Sequence, residues 1–174
     1  AYFFYYSPAS EKRAKLLLEA LRFIPPLSLI PLLILWLGIG EAAKLSIVFL
    51  ASFFPIYLNV FSGFKQIDKS YKELAFMLRL NRMERFKHIE FPASLPNIFT
   101  GLRLGFGYSW RALVGAELIA ASSGLGYLIG DASEMSRTDK VFVGILCIAV
   151  LGVFGDQLFQ LFGKRLTPWM KSKW

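Results

Sequence analysis

Four long apolar stretches constrain the fold of this chain more than any other feature. They cover residues 23–40, 45–64, 98–121 and 141–162. A helix needs about 20 mainly apolar residues to cross a hydrocarbon core of about 30 Å. Because 55% of the 174 residues are hydrophobic and only 18% are charged, too little polar chain remains to cover four such helices in water. We predict an all-α integral membrane protein, a helical bundle with four visible spans.

The distribution of basic residues indicates how these spans are oriented. Most of the basic side chains lie in residues 11–22, in the connecting loop 65–97 and in the tail that follows residue 163. Positively charged connections stay on the cytoplasmic side, so both ends and the central loop are expected there. Because topology accounts for the net charge of +8, we expect contact with membrane lipid and no nucleic acid partner.

The first residues predict a longer protein. The chain opens on Ala1, and the sequence AYFFYY resembles the end of an apolar helix, followed at once by the charged SEKRAK. We interpret residues 1–174 as a single transmembrane domain that is incomplete at its N-terminus.

The loop 65–97 has the pattern of two short amphipathic helices. Ser70 and Glu73 have the spacing of a capping box, and a second helix start follows at Asn81. Pro92 and Pro96 are expected to end the second helix and to introduce the next span. Such a helix pair either lies on lipid headgroups or docks against a protein.

The same loop resembles the EAA loop of permeases in binding-protein-dependent ATP-binding-cassette importers. That pattern runs Glu-Ala-Ala, three residues, Gly, nine residues, Ile, one residue, Leu-Pro. The positions that match its spacing are Glu73, Leu74, Ala75, Arg79, Ile89, Phe91 and Pro92. Stretches such as FFPIYLNVFSGF and ELIAASSGLGYLI look like the branch that carries sulfonates, taurine and nitrate.

Three positions depart from the family pattern. Leu74 and Phe91 keep apolar character, whereas Arg79 replaces a glycine. A glycine at a helix end usually takes a left-handed conformation that costs other residues about 1 kcal/mol. Either the turn uses ordinary backbone angles, with the left-handed residue shifted to Asn81, or Arg79 makes a contact that offsets the strain.

The resemblance implies a function and a set of partners. In that family the loop couples the spans to ATP-binding-cassette ATPase subunits, which bind ATP and Mg²⁺. An extracytoplasmic solute-binding protein delivers the solute, a second permease copy completes a homodimer, and members usually have six spans. The implied solute is a small anion such as a sulfonate, taurine or nitrate; similar permeases carry thiamine or riboflavin-type precursors.

Charged residues inside the predicted spans need partners or water. Arg103 is expected to reach the inner interface. Arg111 either pairs with another helix or lines a cavity that favours an anion, and Glu117 is expected near the outer mouth. The resemblance places Ser122, Ser123 and Gly124 at an outer gate, and the repeats Gly101-xxx-Gly105 and Gly126-xxx-Gly130 favour close helix packing.

Two other functional classes would each need particular residues within the spans. An intramembrane enzyme such as a protease needs a nucleophile with a base, or metal ligands, within the spans; we identify no catalytic or metal-binding residue. The chain also has no phosphate-binding loop, so ATP hydrolysis is expected on a separate polypeptide. An ion-coupled secondary transporter would use buried carboxylates, for which Glu117 and Asp156 are the candidates.

Overall fold

The computed structural model describes residues 1–6 and 8–166, and every regular element in these ranges is helical. A 3₁₀ turn covers Pro26–Leu29 and a π turn covers Phe86–Glu90. The basic residues Lys171 and Lys173 lie outside the described residues, as do the side chains of Lys12 and Lys72. The helices are α1 (Tyr2–Tyr6), α2 (Pro8–Phe23), α3 (Ile30–Leu37), α4 (Glu41–Lys65), α5 (Lys69–Met77), α6 (Arg82–Arg85), α7 (Phe91–Ala120), α8 (Leu125–Glu134) and α9 (Thr138–Leu166).

Two of the helices are each long and apolar enough to cross a membrane. These are α4 and α9, which contain the predicted runs 45–64 and 141–162. The other two runs qualify only as parts of bent helix pairs. In the first pair, α2 and α3 meet at a bend of 82°. In the second, the continuous helix that ends with α7 meets α8 at a bend of 43°. The described residues thus hold two straight spans, or up to four when each bent pair counts as one.

The apolar run 23–40 is not a single straight helix but belongs to one of these bent pairs. Helix α2 ends at Phe23, and the chain turns through Pro25 and Pro26 before α3 begins. Proline cannot donate a backbone hydrogen bond, so the break leaves a carbonyl without its helical partner. The 3₁₀ turn that follows is held by Ser28, whose N–H and Oγ donate to the Pro25 carbonyl over 3.0 and 2.7 Å.

Small residues allow α7 to pack closely on its neighbours. A Cβ placed on Gly101 would lie 2.8 Å from Cβ of Asn59 on α4, and one placed on Gly105 would lie 2.6 Å from Cγ1 of Ile56. Gly155 of α9 faces the Phe106 ring in the same way. The predicted packing role of Gly101-xxx-Gly105 is therefore confirmed, and α7 forms the centre of the bundle.

The second helix of the loop does not end at Pro92 or Pro96, contrary to prediction. Helix α6, the π turn and α7 form one continuous helical run, with Pro92 in the first turn of α7 and Pro96 inside it. The widened π turn directly precedes Pro92. Helical irregularities of this kind accommodate the missing proline N–H groups.

Both ends of the described chain lie beside the connecting loop. At one end, Tyr6 of α1 donates a hydrogen bond to Glu90. At the other, a Cβ placed on Gly163 of α9 would lie 3.9 Å from Cδ1 of Phe99, near the start of α7. This arrangement agrees with the topology expected from the charge distribution.

Candidate functional site

The loop projects as α5, α6 and the π turn, and we call residues 69–90 the projecting segment. Helix α5 is capped by Asp68, whose carboxylate accepts from the N–H and the hydroxyl of Ser70, each over 2.9 Å. These hydrogen bonds lower the pKa of Asp68. The predicted capping box of Ser70 with Glu73 is therefore wrong, because Asp68 begins the helix two residues earlier and already engages Ser70.

Helix α5 ends at a left-handed residue, and that residue is Arg79. Its φ of 48° leaves the ordinary helical region, while Asn81 has a φ of −69°. The Leu80 N–H donates to the Ala75 carbonyl over 3.1 Å, which is the closing hydrogen bond of a Schellman motif. A left-handed residue shifted to Asn81 is thus ruled out. Its backbone N–H donates to the Phe76 carbonyl over 3.0 Å, but its guanidinium has no hydrogen bond or ion pair to another described residue that would offset the strain.

The predicted second helix start is confirmed at Asn81. The Asn81 side chain accepts from the Glu84 N–H, and the Glu84 carboxylate accepts from the Asn81 N–H, both over 2.9 Å. This reciprocal capping box satisfies backbone N–H groups at the start of α6. Both helices of the projecting segment therefore begin with a side-chain cap.

Some of the motif residues are exposed, and the others are buried or half-buried. Glu73 is exposed, and its carboxylate has no hydrogen bond or ion pair to another described side chain. Leu74 is 45% exposed and Met77 is 78% exposed, whereas only 2% of the surface of Ala75 is exposed. Ile89, within the π turn, and Pro92, just after it, are half-buried. Leu74 and Met77 therefore lie on one face of α5 and form an open apolar surface with Leu78 at its end.

A groove of about 710 Å³ lies between the end of α2, the 3₁₀ turn, α4 and α7. Its wall is largely apolar, with polar groups from Arg22, Asn59, Tyr108 and Arg111. The Arg111 guanidinium lies 5.7 Å from the centre of the Tyr108 ring and forms no ion pair with a described acidic residue. Of the two predicted roles for Arg111, a position in a cavity is the one that this geometry favours.

Arg103 pairs with an acidic residue of another helix, which its predicted reach toward the inner interface did not include. Its Nε and Nη2 donate to the two carboxylate oxygens of Asp156 on α9, over 2.5 and 2.7 Å. Gln160 adds a hydrogen bond of 2.9 Å to the same carboxylate. The pair neutralises two charges within the spans and joins α7 to α9.

At the opposite end of α7, Glu117 turns back onto the start of α8. Its carboxylate accepts from the Gly126 N–H over 2.8 Å, and a Cβ placed on Gly124 would lie 2.4 Å from that carboxylate. Gly124 has a φ of 122°, which strongly favours glycine. Ser122 and Ser123 line a second cavity, of about 620 Å³, beside α8 and α9. Gate roles for these residues remain predictions.

Sequence reasoning missed a polar cluster at the base of the projecting segment. Glu90, only 1% exposed, accepts from the hydroxyls of Tyr2 and Tyr6. Arg85 Nε lies 2.8 Å from its carboxylate. Tyr2 and Tyr6 are 88 and 84 residues away in sequence, so no local pattern could have identified the contacts.

Comparison with known proteins agrees with the geometry of the loop and the spans. The sequence profile of the "Binding-protein-dependent transport system inner membrane component" family matches residues 1–168. The chain is 41% identical over 155 residues to the putative aliphatic sulfonates transport permease protein SsuC of Bacillus subtilis, covering 89% of this chain and 56% of the relative.

Two further relatives extend the comparison. The taurine transport system permease protein TauC of Escherichia coli is 38% identical over 88% of this chain and 56% of its own length. The nitrate import permease protein NrtB of Synechocystis is 31% identical over 86% of this chain and 54% of its own. The chain spans a little over half the length of these relatives. Because the family profile matches nearly all of it, the chain belongs to the family of inner membrane components of binding-protein-dependent transport systems.

Proposed function

We propose that this chain is part of the membrane subunit of an ATP-driven importer and contributes to the pathway of a small anionic solute. The observation that carries the proposal is the open apolar surface of α5, at positions that match the EAA pattern. Leu74, Met77 and Leu78 are exposed on a segment whose helix ends are fixed by their own hydrogen bonds. An exposed apolar patch marks a protein-binding or membrane-binding surface, and the match of these positions to the EAA pattern favours a protein partner.

The partners follow from this assignment. ATPase subunits that bind ATP and Mg²⁺ receive the projecting segment on the cytoplasmic side. A solute-binding protein delivers the solute on the other side, and a second copy of the permease completes the pathway as a homodimer. Membrane lipid surrounds the outward faces of α4 and α9, which carry exposed apolar side chains.

The groove beside Arg111 has the chemistry to bind an anionic solute. Sulfonates, taurine and nitrate, for which the compared relatives are named, all carry a negatively charged oxyanion group. A guanidinium presents several N–H donors in a plane and binds such oxygens well. Arg111 occupies the groove without a described acidic partner, so its charge remains available to a solute.

Ion-coupled transport is less well supported, because both candidate carboxylates are engaged. Asp156 accepts hydrogen bonds from Arg103 and Gln160, and Glu117 accepts from the backbone of α8. A carboxylate that carries a coupling ion needs free oxygens in the pathway. Both groups instead join helices.

Affinity purification of the full-length protein from its native membranes, in mild detergent, tests the proposal. We expect mass spectrometry of the co-purifying chains to identify an ATP-binding-cassette subunit. A stable particle that contains no ATPase would contradict the proposal.

A transport assay in proteoliposomes tests the role of Arg111. Arg111→Gln should reduce uptake of the anionic solute, and Arg111→Lys should retain part of it because the charge remains. Arg165→Gln, which changes an exposed cation outside the groove at the end of α9, serves as the control and should keep wild-type uptake. Unchanged uptake by Arg111→Gln would remove this residue from the pathway.

A further inference from the structure

Glu90 is the most deeply buried charged residue in the described part of the chain, with 1% of its surface exposed. It is the last residue of the π turn and of the projecting segment, directly before α7. A buried carboxylate is strongly unfavourable unless it is paired and hydrogen-bonded. The surroundings of Glu90 therefore determine whether this part of the chain is stable.

Three side chains contact the Glu90 carboxylate, namely those of Tyr2, Tyr6 and Arg85. We call these three residues and Glu90 the Glu90 cluster. The Tyr2 hydroxyl donates to Oε2 over 3.1 Å, and the Tyr6 hydroxyl donates to Oε1. Arg85 Nε lies 2.8 Å from Oε1, and Arg85 Nη2 donates to the Tyr6 hydroxyl. The cluster thus joins α1 to both ends of the π turn.

The ion pair of Arg85 with Glu90 requires the π turn. The two residues are five positions apart, and in an α-helix five residues turn through about 500°, which leaves their side chains about 140° apart. A π turn closes its hydrogen bonds between residues five apart, as in the bond from the Phe91 N–H to the Phe86 carbonyl. Residues five apart then share a face. The pair therefore stabilises the π turn over the α-helical alternative.

Aromatic contacts fix α1 against the same turn. The Tyr2 ring centre lies 4.6 Å from that of Phe86 in the π turn and 5.2 Å from that of Phe64 at the end of α4. The Arg82 guanidinium lies 4.5 Å from the centre of the Tyr6 ring. Helix α1 thus contacts the projecting segment through both polar and aromatic groups.

We propose that the Glu90 cluster makes α1 and the projecting segment move as one body and fixes the orientation of that body relative to α7. Glu90 is then a positioning residue for the coupling of the spans to the ATPase. This role rests on the proposed function. If the cluster is lost, the π turn relaxes toward α-helical geometry. A change of one residue in helical register rotates the projecting segment by about 100° about α7, so a docked partner no longer transmits its motion correctly.

Hydrogen–deuterium exchange tests the structural part without any assumption about transport. We would compare the full-length wild-type protein with Glu90→Gln, which keeps the volume and removes the charge. Exchange should rise in α1 and in the projecting segment together. Lys87→Gln, at an exposed position in the same π turn, should change neither. A Glu90→Gln protein in which α1 keeps wild-type exchange while the projecting segment loosens would overturn the proposal.

The functional part is measured on the complex of the full-length permease with its ATPase in proteoliposomes. Glu90→Gln should keep the ATPase bound and hydrolysing ATP, while the solute transported per ATP falls about fivefold or more, the lower end of typical coupling between two sites. An unchanged ratio would overturn the role of Glu90 in coupling. If Glu90→Gln does not assemble, Tyr6→Phe decides, since it removes only one hydroxyl; it should lower the ratio and raise exchange in α1, and wild-type behaviour in both would overturn the proposal.

These results separate the two proposals. A wild-type protein that binds no ATPase contradicts the proposed function. The exchange measurement still tests whether the Glu90 cluster joins α1 to the projecting segment.

Discussion

Arg103 on α7 and Asp156 on α9 form a two-point ion pair, with N–O distances of 2.5 and 2.7 Å. Two charges that would each be unfavourable within a span thereby neutralise one another. The pair sits beside the close contact of Gly155 with Phe106, so the polar and the apolar contacts of the two helices coincide. Asp156 is consequently a structural residue of the bundle.

Breaking this ion pair should destabilise the bundle. Exposed pairs contribute up to about 1 kcal/mol, and removal of one partner from a buried pair costs about 3–5 kcal/mol. The side chains of Arg103 and Asp156 are about one third exposed, so we expect Arg103→Gln to cost about 1–2 kcal/mol, an intermediate value on these scales. Thermal unfolding of the purified permease measures the loss. The double variant with Asp156→Asn should lose less than the sum of the single variants, and strict additivity would show that the pair has no stabilising interaction.

Replacing Arg79 with glycine should stabilise the projecting segment. The left-handed φ of 48° costs a non-glycine residue about 1 kcal/mol, and no described contact offsets it. Arg79→Gly should therefore slow hydrogen exchange at the end of α5. Arg79→Ala, which keeps the strain and removes the guanidinium, is the control. If Arg79→Gly exchanges faster than wild type, the guanidinium stabilises the turn and the strain argument is wrong.

Gly124 should tolerate no side chain. Alanine there would meet the Glu117 carboxylate at 2.4 Å and would need a φ of 122°. We expect Gly124→Ala to lower the melting temperature, and the double variant with Glu117→Ala to recover only part of the loss, because the backbone strain remains. Full recovery would show that the clash alone excludes alanine.

The contact between α4 and α7 gives a matched pair of glycine substitutions on one helix. Gly101→Ala would place its Cβ 2.8 Å from Asn59 and 3.3 Å from the Ile56 carbonyl, whereas Gly107→Ala meets nothing within 4 Å. Overpacking costs about 1–3 kcal/mol, while alanine in an open helical position gains up to about 1 kcal/mol over glycine. Thermal unfolding should separate the two variants. Equal stability would contradict the close approach of the two helices.

Local sequence patterns predicted much of this structure. The charge-free run 45–64 and the run 141–162 became α4 and α9, and the helix start predicted at Asn81 is confirmed. The first cap was misplaced because Asp68 and Ser70 both suit an N-cap, and Asp68 occupies the position from which its carboxylate reaches two donors of Ser70. Local chemistry could not separate these two candidates.

The remaining features depend on contacts that are distant in sequence. Arg103 and Asp156 are 53 residues apart, and Tyr2 and Glu90 are 88 apart. The π turn was missed because proline normally ends a helix, and the pattern around Pro92 does not reveal that the preceding turn is widened to include it. Tertiary packing, rather than local preference, decided these elements.

The proposed binding of the ATPase to the open face of α5 is tested most directly by comparing two variants. Met77→Glu places a charge on that face, and Met135→Glu makes the same change at another exposed methionine, at the end of α8. The measurement is the amount of ATPase retained per permease after affinity purification from membranes. We predict that Met77→Glu loses the ATPase and that Met135→Glu retains the wild-type amount. Wild-type retention by Met77→Glu would contradict the account.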